Sequence, residues 1–334
     1  RFIEITMEHG VTPHAPAAFA LASALMTGVL NDLQGGAHYG RFALTLMKRV
    51  NYRPIVTGTI MMAGALGLVW TTHVNEVAKD MLISHDMGLR TGERKYGTIA
   101  SFQYASIAVH SGKNLDTLAI DCRSYVDQAR QDGVHLTADY LEYTLLAILS
   151  LKGSGADGVL QDIKNNPKPP NEDDPQDERD HFFLYWKNKF LATHMGDFET
   201  CAEASMAHKD VVKQGFPGSM SSMVEVPLRS LSCLIVSRRT GSSAALKEGK
   251  RLLAVVRDWV KQGNPNIVHF VPALEAELLA IQKKERSAVT AKYEDAIAKA
   301  TQADFPIDAA LFYECWGLYA LEVCHDEAEA TRRL

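Results

Sequence analysis

The chain has 334 residues, 46% hydrophobic and 22% charged, with a formal net charge of -5 at pH 7. That hydrophobicity is too high for a disordered chain and enough for a sizeable core. The acidic balance argues against nucleic acid as a partner, since the basic pairs Arg238-Arg239 and Lys283-Lys284 stand isolated and read as solvated faces.

In chain order, Pro16 to Leu33 (PAAFALASALMTGVLNDL) reads as a helix with proline in its first turn and a stop before Gly35-Gly36. Ala37 to Val50 reads as the next, ending before the pre-proline Arg53. Pro54 opens a third, up to about Trp70. Its stretch Ile55 to Trp70 (IVTGTIMMAGALGLVW) carries no charge and has Gly58, Ala63, Gly64 and Gly67, small residues of the kind that pack helices in lipid. It falls short of the roughly 20 residues that span hydrocarbon, so a buried helix is expected, with no membrane insertion. Val74 to Arg90, Tyr96 to His110, Leu115 to Gln131 and Leu136 to Leu151 follow, separated by Gly, Asn or polar turns. Strand alternation is almost absent, and connections this short imply antiparallel neighbours.

The pattern breaks over 152–179, KGSGADGVLQDIKNNPKPPNEDDPQDER, which is expected to be an exposed acidic, Pro-rich loop dividing a first half (1–151) from a second (180–334). Helices resume over roughly Asp180 to Met195, Phe198 to Gln214, Ser219 to Arg238, Ala244 to Gln262, Ile267 to Gln282, Glu285 to Gln302 and Ile307 to Cys324, with a start at Asp326. Gly215, Gly241 and Gly263 fall where left-handed caps are needed. Pro227 and Pro272 predict kinks or later starts.

Internal repetition points to architecture. MGDFETCAEASMAHKDV and TAKYEDAIAKATQADFP both place an aromatic (Phe198, Tyr293) at the start of a helix, then small residues (Cys201, Ala202, Ala204; Ala296, Ala298, Ala300) on the face that meets the preceding helix. LQGGAHYGRFALTLMKR, with Tyr39 and Ala43, is a looser copy. These segments resemble tetratricopeptide-type (TPR) repeats. GGAHYGRFALTLMKR, VWTTHVNEVAKDMLISHDMGLRTGE and the stretch from IVHFVPALEAELLAIQKKERSAVTAKYEDAIAKATQADFP to FYECWGLYALE resemble the helical region of large multidomain signalling proteins, serine/threonine or histidine kinases with a predicted ATPase module and sensor domains. One position departs from that pattern: Gly92-Glu93 stands where the family usually has Gly-Asp. The resemblance implies a single TPR-like all-α solenoid of about seven stacked antiparallel hairpins. It also implies a scaffold role between an upstream ATPase and downstream sensor or kinase domains, with a protein or peptide partner held in a groove lined by the first helices of successive pairs. Both ends of the chain read as cut from a longer polypeptide.

Reactive residues do not assemble into a motif. There is no P-loop, no kinase H-R-D or D-F-G and no G-x-S-x-G elbow. His9, His14, His181, His194, His208 and His325 show no i, i+4 pair suited to zinc. Cys324-His325 are neighbours, which do not face each other on a helix. The acids Glu172, Asp173, Asp174, Asp177, Glu178 and Asp180 lack calcium-loop spacing. HFFLYWKNKF (His181 to Phe190) reads as a hydrophobic seam. The five cysteines, Cys122, Cys201, Cys233, Cys315 and Cys324, lack C-x-x-C spacing, which fits a reducing compartment, the cytoplasm. No catalytic, cofactor-binding or metal residue is expected. The alternatives are an all-helical enzyme or ligand-binding domain, or a structural subunit of a large assembly.

Overall fold

The computed structural model describes residues 2–50, 52–153, 186–207 and 218–334. Among them every regular element is a helix, and there is no strand. In order these are α1 (Phe2–His9), α2 (Ala15–Gly28), α3 (Leu33–Val50), the helical run α4 (Arg53–Trp70), α5 (Val74–Thr91), α6 (Arg94–His110), α7 (Leu115–Gln131) and α8 (His135–Leu151). Then follow α9 (Trp186–Leu191 continued by Ala192–His194), α10 (Phe198–Ala207), α11 (Met220–Thr240), α12 (Ser243–Lys261), α13 (Phe270–Ile281), α14 (Arg286–Gln302), α15 (Pro306–Glu322) and α16 (Glu327–Arg333). Residues 154–179, with Glu172, Asp173, Asp174, Asp177 and Glu178, and also Asp180, His181, His208 and Gly215, lie outside the described residues.

Local chemistry explains the boundaries. The Asn114 side chain accepts from the backbone N–H of Asp116 and Thr117, and Ser219, Ser242 and Asp326 cap α11, α12 and α16 in the same way. Gly241 (φ 74°) and Gly263 (φ 94°) take the left-handed conformation that ends a helix. At the Gly-Asp corner Gly196 (φ 74°) lets α9 turn, while the Asp197 carboxylate accepts the Thr200 N–H at 3.1 Å and starts α10.

Two boundaries differ from the expectation. The first helix stops at Gly28 instead of Leu33, and Gly35-Gly36 lie inside the first turn of α3 instead of stopping α2. The reason is polar: Asn31 adopts φ 55°, and Asp32 accepts the Gly35 N–H at 2.8 Å, so the turn closes upstream of the glycines. Pro272 does shift a start, from Ile267 to Phe270, whereas Pro227 lies inside α11.

Packing follows the small residues. Leu33/Gly36/Ala37/Gly40 in α3, Phe198/Cys201/Ala202/Ser205 in α10 and Tyr293/Ala296/Ile297/Ala300 in α14 are all buried, each set spaced i, i+3, i+4, i+7 along one helix face. Ala204 and Ala298, expected in this face, are respectively half-buried and exposed, because they fall one position out of phase. The Ser23 hydroxyl of α2 donates to the Gly36 carbonyl at 2.6 Å, and Gly40 and Gly67 both approach Ser23, so α2, α3 and α4 meet at one side chain. Gly88 of α5 and Gly97 of α6 bring two backbones into contact. Successive helices pack as pairs, α2 on α3, α5 on α6, α7 on α8, α11 on α12 and α13 on α14, and next-but-one contacts (α6 with α8, α11 with α13) stack the pairs. α4 is the one described helix long and apolar enough to cross a membrane, and it lies mostly buried against α2, α3 and α5.

The halves also close on one another. Asn266, before α13, donates to the carbonyls of Val69 (2.7 Å) and Thr72 (3.0 Å) and accepts the Val74 N–H (3.0 Å). Trp259 donates to Asn31 at 2.7 Å, Gln34 to the Gln262 carbonyl at 2.5 Å, and His73 meets the Ala303 carbonyl at 2.8 Å. These bonds join residues about 190 to 230 positions apart. A linear stack, in which each pair touches only its neighbours, would lack them.

Candidate binding cleft

The seam leaves an open cleft of about 740 Å³, within the range of ligand and peptide sites. Thr27, Gly28, Val29 and Asn31 at and after the end of α2, Trp70 at the end of α4, Gly218 and Ser222 at the start of α11, and Ala254, Val255, Asp258 and Trp259 on α12 line it. Its base is an edge-to-face pair, Trp70 on Trp259, with ring centroids 4.9 Å apart. Both indole N–H groups are used internally: Trp70 donates to the Gly218 carbonyl at 2.7 Å and Trp259 to Asn31. The Thr27 hydroxyl donates to the Leu66 carbonyl at 2.7 Å. The polar atoms that shape the cleft therefore hold the seam together, and its accessible lining is largely apolar. This cleft is built by elements from opposite halves, α2 and α4 with α11 and α12, and does not run along the first helices of successive pairs.

Asp258 is the one charged residue in this lining. Its Oδ2 accepts from Asn31 (3.1 Å) and from Gln262 (2.8 Å), and no cation pairs with it among the described residues. Val29, the C-cap residue just past α2, keeps a helical conformation one turn beyond Leu25 and two beyond Leu21, so the three fall along the outer side of α2. They are 64%, 50% and 51% exposed, and α2 carries no charged residue at all.

Three buried polar clusters lie apart from the cleft, and one holds Arg238, which reads from the sequence as part of a solvated face but is buried because two carboxylates pair with it. Arg229, fully buried in α11, bonds Ser205, Glu225 and Glu248, and Lys189 joins Glu225, which ties α9 to α12. Arg238 donates to Glu277 and Glu322, both at 2.7 Å, and the Tyr293 hydroxyl donates to Glu277. Beside those carboxylates the Arg238 guanidinium is held more basic than usual despite its burial, and burial with the Glu277 charge pushes the Tyr293 phenol well up. The third gathers histidines: His110 donates from Nδ1 to the Ser106 carbonyl (2.7 Å), His194 to that of Phe190 (2.8 Å), and His269 pairs with Asp308 (2.8 Å). Burial lowers the His110 pKa to about 4 and lowers that of His194. Each cluster joins helices through ion pairs or a bonded ring nitrogen, and His194 Nε2, His269 Nδ1 and Arg238 Nη2 are buried without a hydrogen-bond partner among the described residues. Among the described residues no three His, Cys, Asp or Glu converge as metal ligands.

The sequence candidates do not meet in the cleft. His9 is exposed beside Glu8, and His14 stacks edge-on to Tyr52. His325 sits in a turn at φ 53° after α15 has ended at Glu322, so it and Cys324 are not helix neighbours as expected. Phe190, from the expected aromatic seam, is buried between His110 and His194. Comparison with family models, with curated proteins and with solved structures gave no match.

Proposed function

We propose that this chain is a non-catalytic protein–protein interaction scaffold, a TPR-like α-solenoid of stacked helical hairpins closed along a seam, that works in the cytoplasm within a larger signalling ATPase or kinase. The observation that carries the reading is the apolar cleft continuing onto the exposed face of α2, where Leu21, Leu25 and Val29 offer contiguous apolar surface on an uncharged helix. Exposed patches of this kind are recognition surfaces for protein segments. The occupied indole and hydroxyl groups favour recognition over chemistry, because none is left to act on a substrate.

The partners proposed are the ATPase and the sensor or kinase modules of the same polypeptide, as the family resemblance implies. Isothermal titration of each separately purified module into this chain is expected to give 1:1 binding with one of them, lost on Leu25→Glu. Nucleotide hydrolysis or stoichiometric small-molecule binding by the chain alone, abolished by a point substitution, would overturn the reading in favour of an enzyme.

A further inference from the structure

The chemistry of the cleft says more about its occupant, on the premise that the cleft is a docking surface. Leu21 and Leu25 on the outer face of α2 and Val29 at its C-cap follow at i, i+4 and i+8, a stripe that drifts by about 40° per step round the helix. A second helix matches such a stripe best, since its own apolar residues recur at the same rise and interdigitate with these. A 14-residue helix is roughly 21 Å long. One helix contact of that length buries less than a stable homodimer needs, which argues against a second copy of the chain as occupant.

Charge decides the rest. Asp258 stands at the cleft end of the stripe with two amide donors and no cation. Lys261, one turn further along α12, makes no ion pair with it. Three helices also end here: α2 at Gly28, α4 at Trp70 and α12 at Lys261. Helix C-termini carry partial negative charge, against the N-termini of α11 and of α3, whose first N–H, on Leu33, is taken up by the Gln262 side chain. The chain as a whole is acidic, at -5. We infer that the cleft takes an amphipathic α-helix of a partner protein, whose apolar stripe lies along α2 and whose lysine or arginine, one turn beyond the stripe, pairs with Asp258.

The test uses the full chain and two fluorescein-labelled 16-residue helical peptides, each with Leu at three positions spaced i, i+4, i+8. One carries Lys a turn beyond the last Leu and the other Glu. Fluorescence anisotropy is expected to show the Lys peptide binding at least about tenfold more tightly than the Glu peptide. Asp258→Asn should reduce that preference to roughly threefold or less, and Leu25→Glu should weaken both peptides more than tenfold while circular dichroism stays unchanged. Equal binding of the two peptides, or a preference that survives Asp258→Asn, would overturn the charge assignment. If Leu25→Glu still abolished binding in that case, the docking role would stand without it. No binding by either peptide would overturn the inference. So would a doubling of the chain's own mass by light scattering that Leu25→Glu reverses, which would make a second copy the occupant.

Discussion

His110 shows what single residues contribute. It ends α6 with 2% of its surface exposed, and burial is the larger cause of its lowered pKa, outweighing the Ser106 carbonyl and Asp308, which favour the proton. Folded, it stays neutral down to about pH 4, whereas the unfolded chain takes up the proton near its ordinary value of 6.5. Between those limits the unfolded state binds more protons, so stability falls as pH falls. The full excursion corresponds to about 3 kcal/mol, and His194, lowered in the same direction, adds to it. Denaturant unfolding measured from pH 7 to pH 4 is expected to show this loss, and His110→Phe should remove about one proton from the slope. A slope that His110→Phe leaves unchanged would contradict the assignment. Nothing in the sequence marks His110, because a histidine closing an apolar helix looks the same whether it faces water or the core.

At the scale of elements, the small residues set how closely helices approach. A Cβ on Gly88 would lie 2.6 Å from the Gly97 Cα and 3.0 Å from the Glu93 carbonyl oxygen, both backbone atoms that no rotamer can move. Alanine is the better helix former by about 1 kcal/mol, but overpacking against backbone costs more. Gly88→Ala is therefore expected to destabilise the chain by about 2 kcal/mol net, read from its denaturation midpoint. An unchanged or raised midpoint would mean that α5 and α6 are not so tightly apposed. This level was legible in advance. Capping residues, glycines and prolines placed most helix ends within a few residues, and the charge-free stretch Ile55 to Trp70 of α4 was read as buried, as it mostly is, since its length and composition are local properties. The exception at Gly35-Gly36 arose because Asn31 and Asp32 close the turn with side-chain bonds, a choice that glycine content alone does not reveal.

At the scale of the molecule, closure between the halves was not legible. It rests on Asn31, Gln34, Gln262 and Asn266, polar residues that read as ordinary turn formers and acquire meaning only when a backbone from the other half meets them. The cleft is not legible for the same reason: its walls come from α2, α4, α11 and α12, which no repeat spacing links. The apolar stripe of α2 was visible as Leu21, Leu25 and Val29, yet hydrophobic residues on a helix are first taken as core. Asn266 is the best handle on closure, being 1% exposed and holding three backbone groups of the opposite half. Asn266→Ala leaves those groups buried without partners, at a cost of about 3 kcal/mol. Hydrogen–deuterium exchange on the Asn266→Ala chain is the most direct measurement of whether the seam builds the cleft. The expected result is a joint loss of protection over residues 69–75 and 258–270, together with the cleft-lining turn at 27–31, while α7 and α8 keep theirs. Loss confined to residues next to 266, with 69–75 and 27–31 as protected as in the native chain, would contradict it.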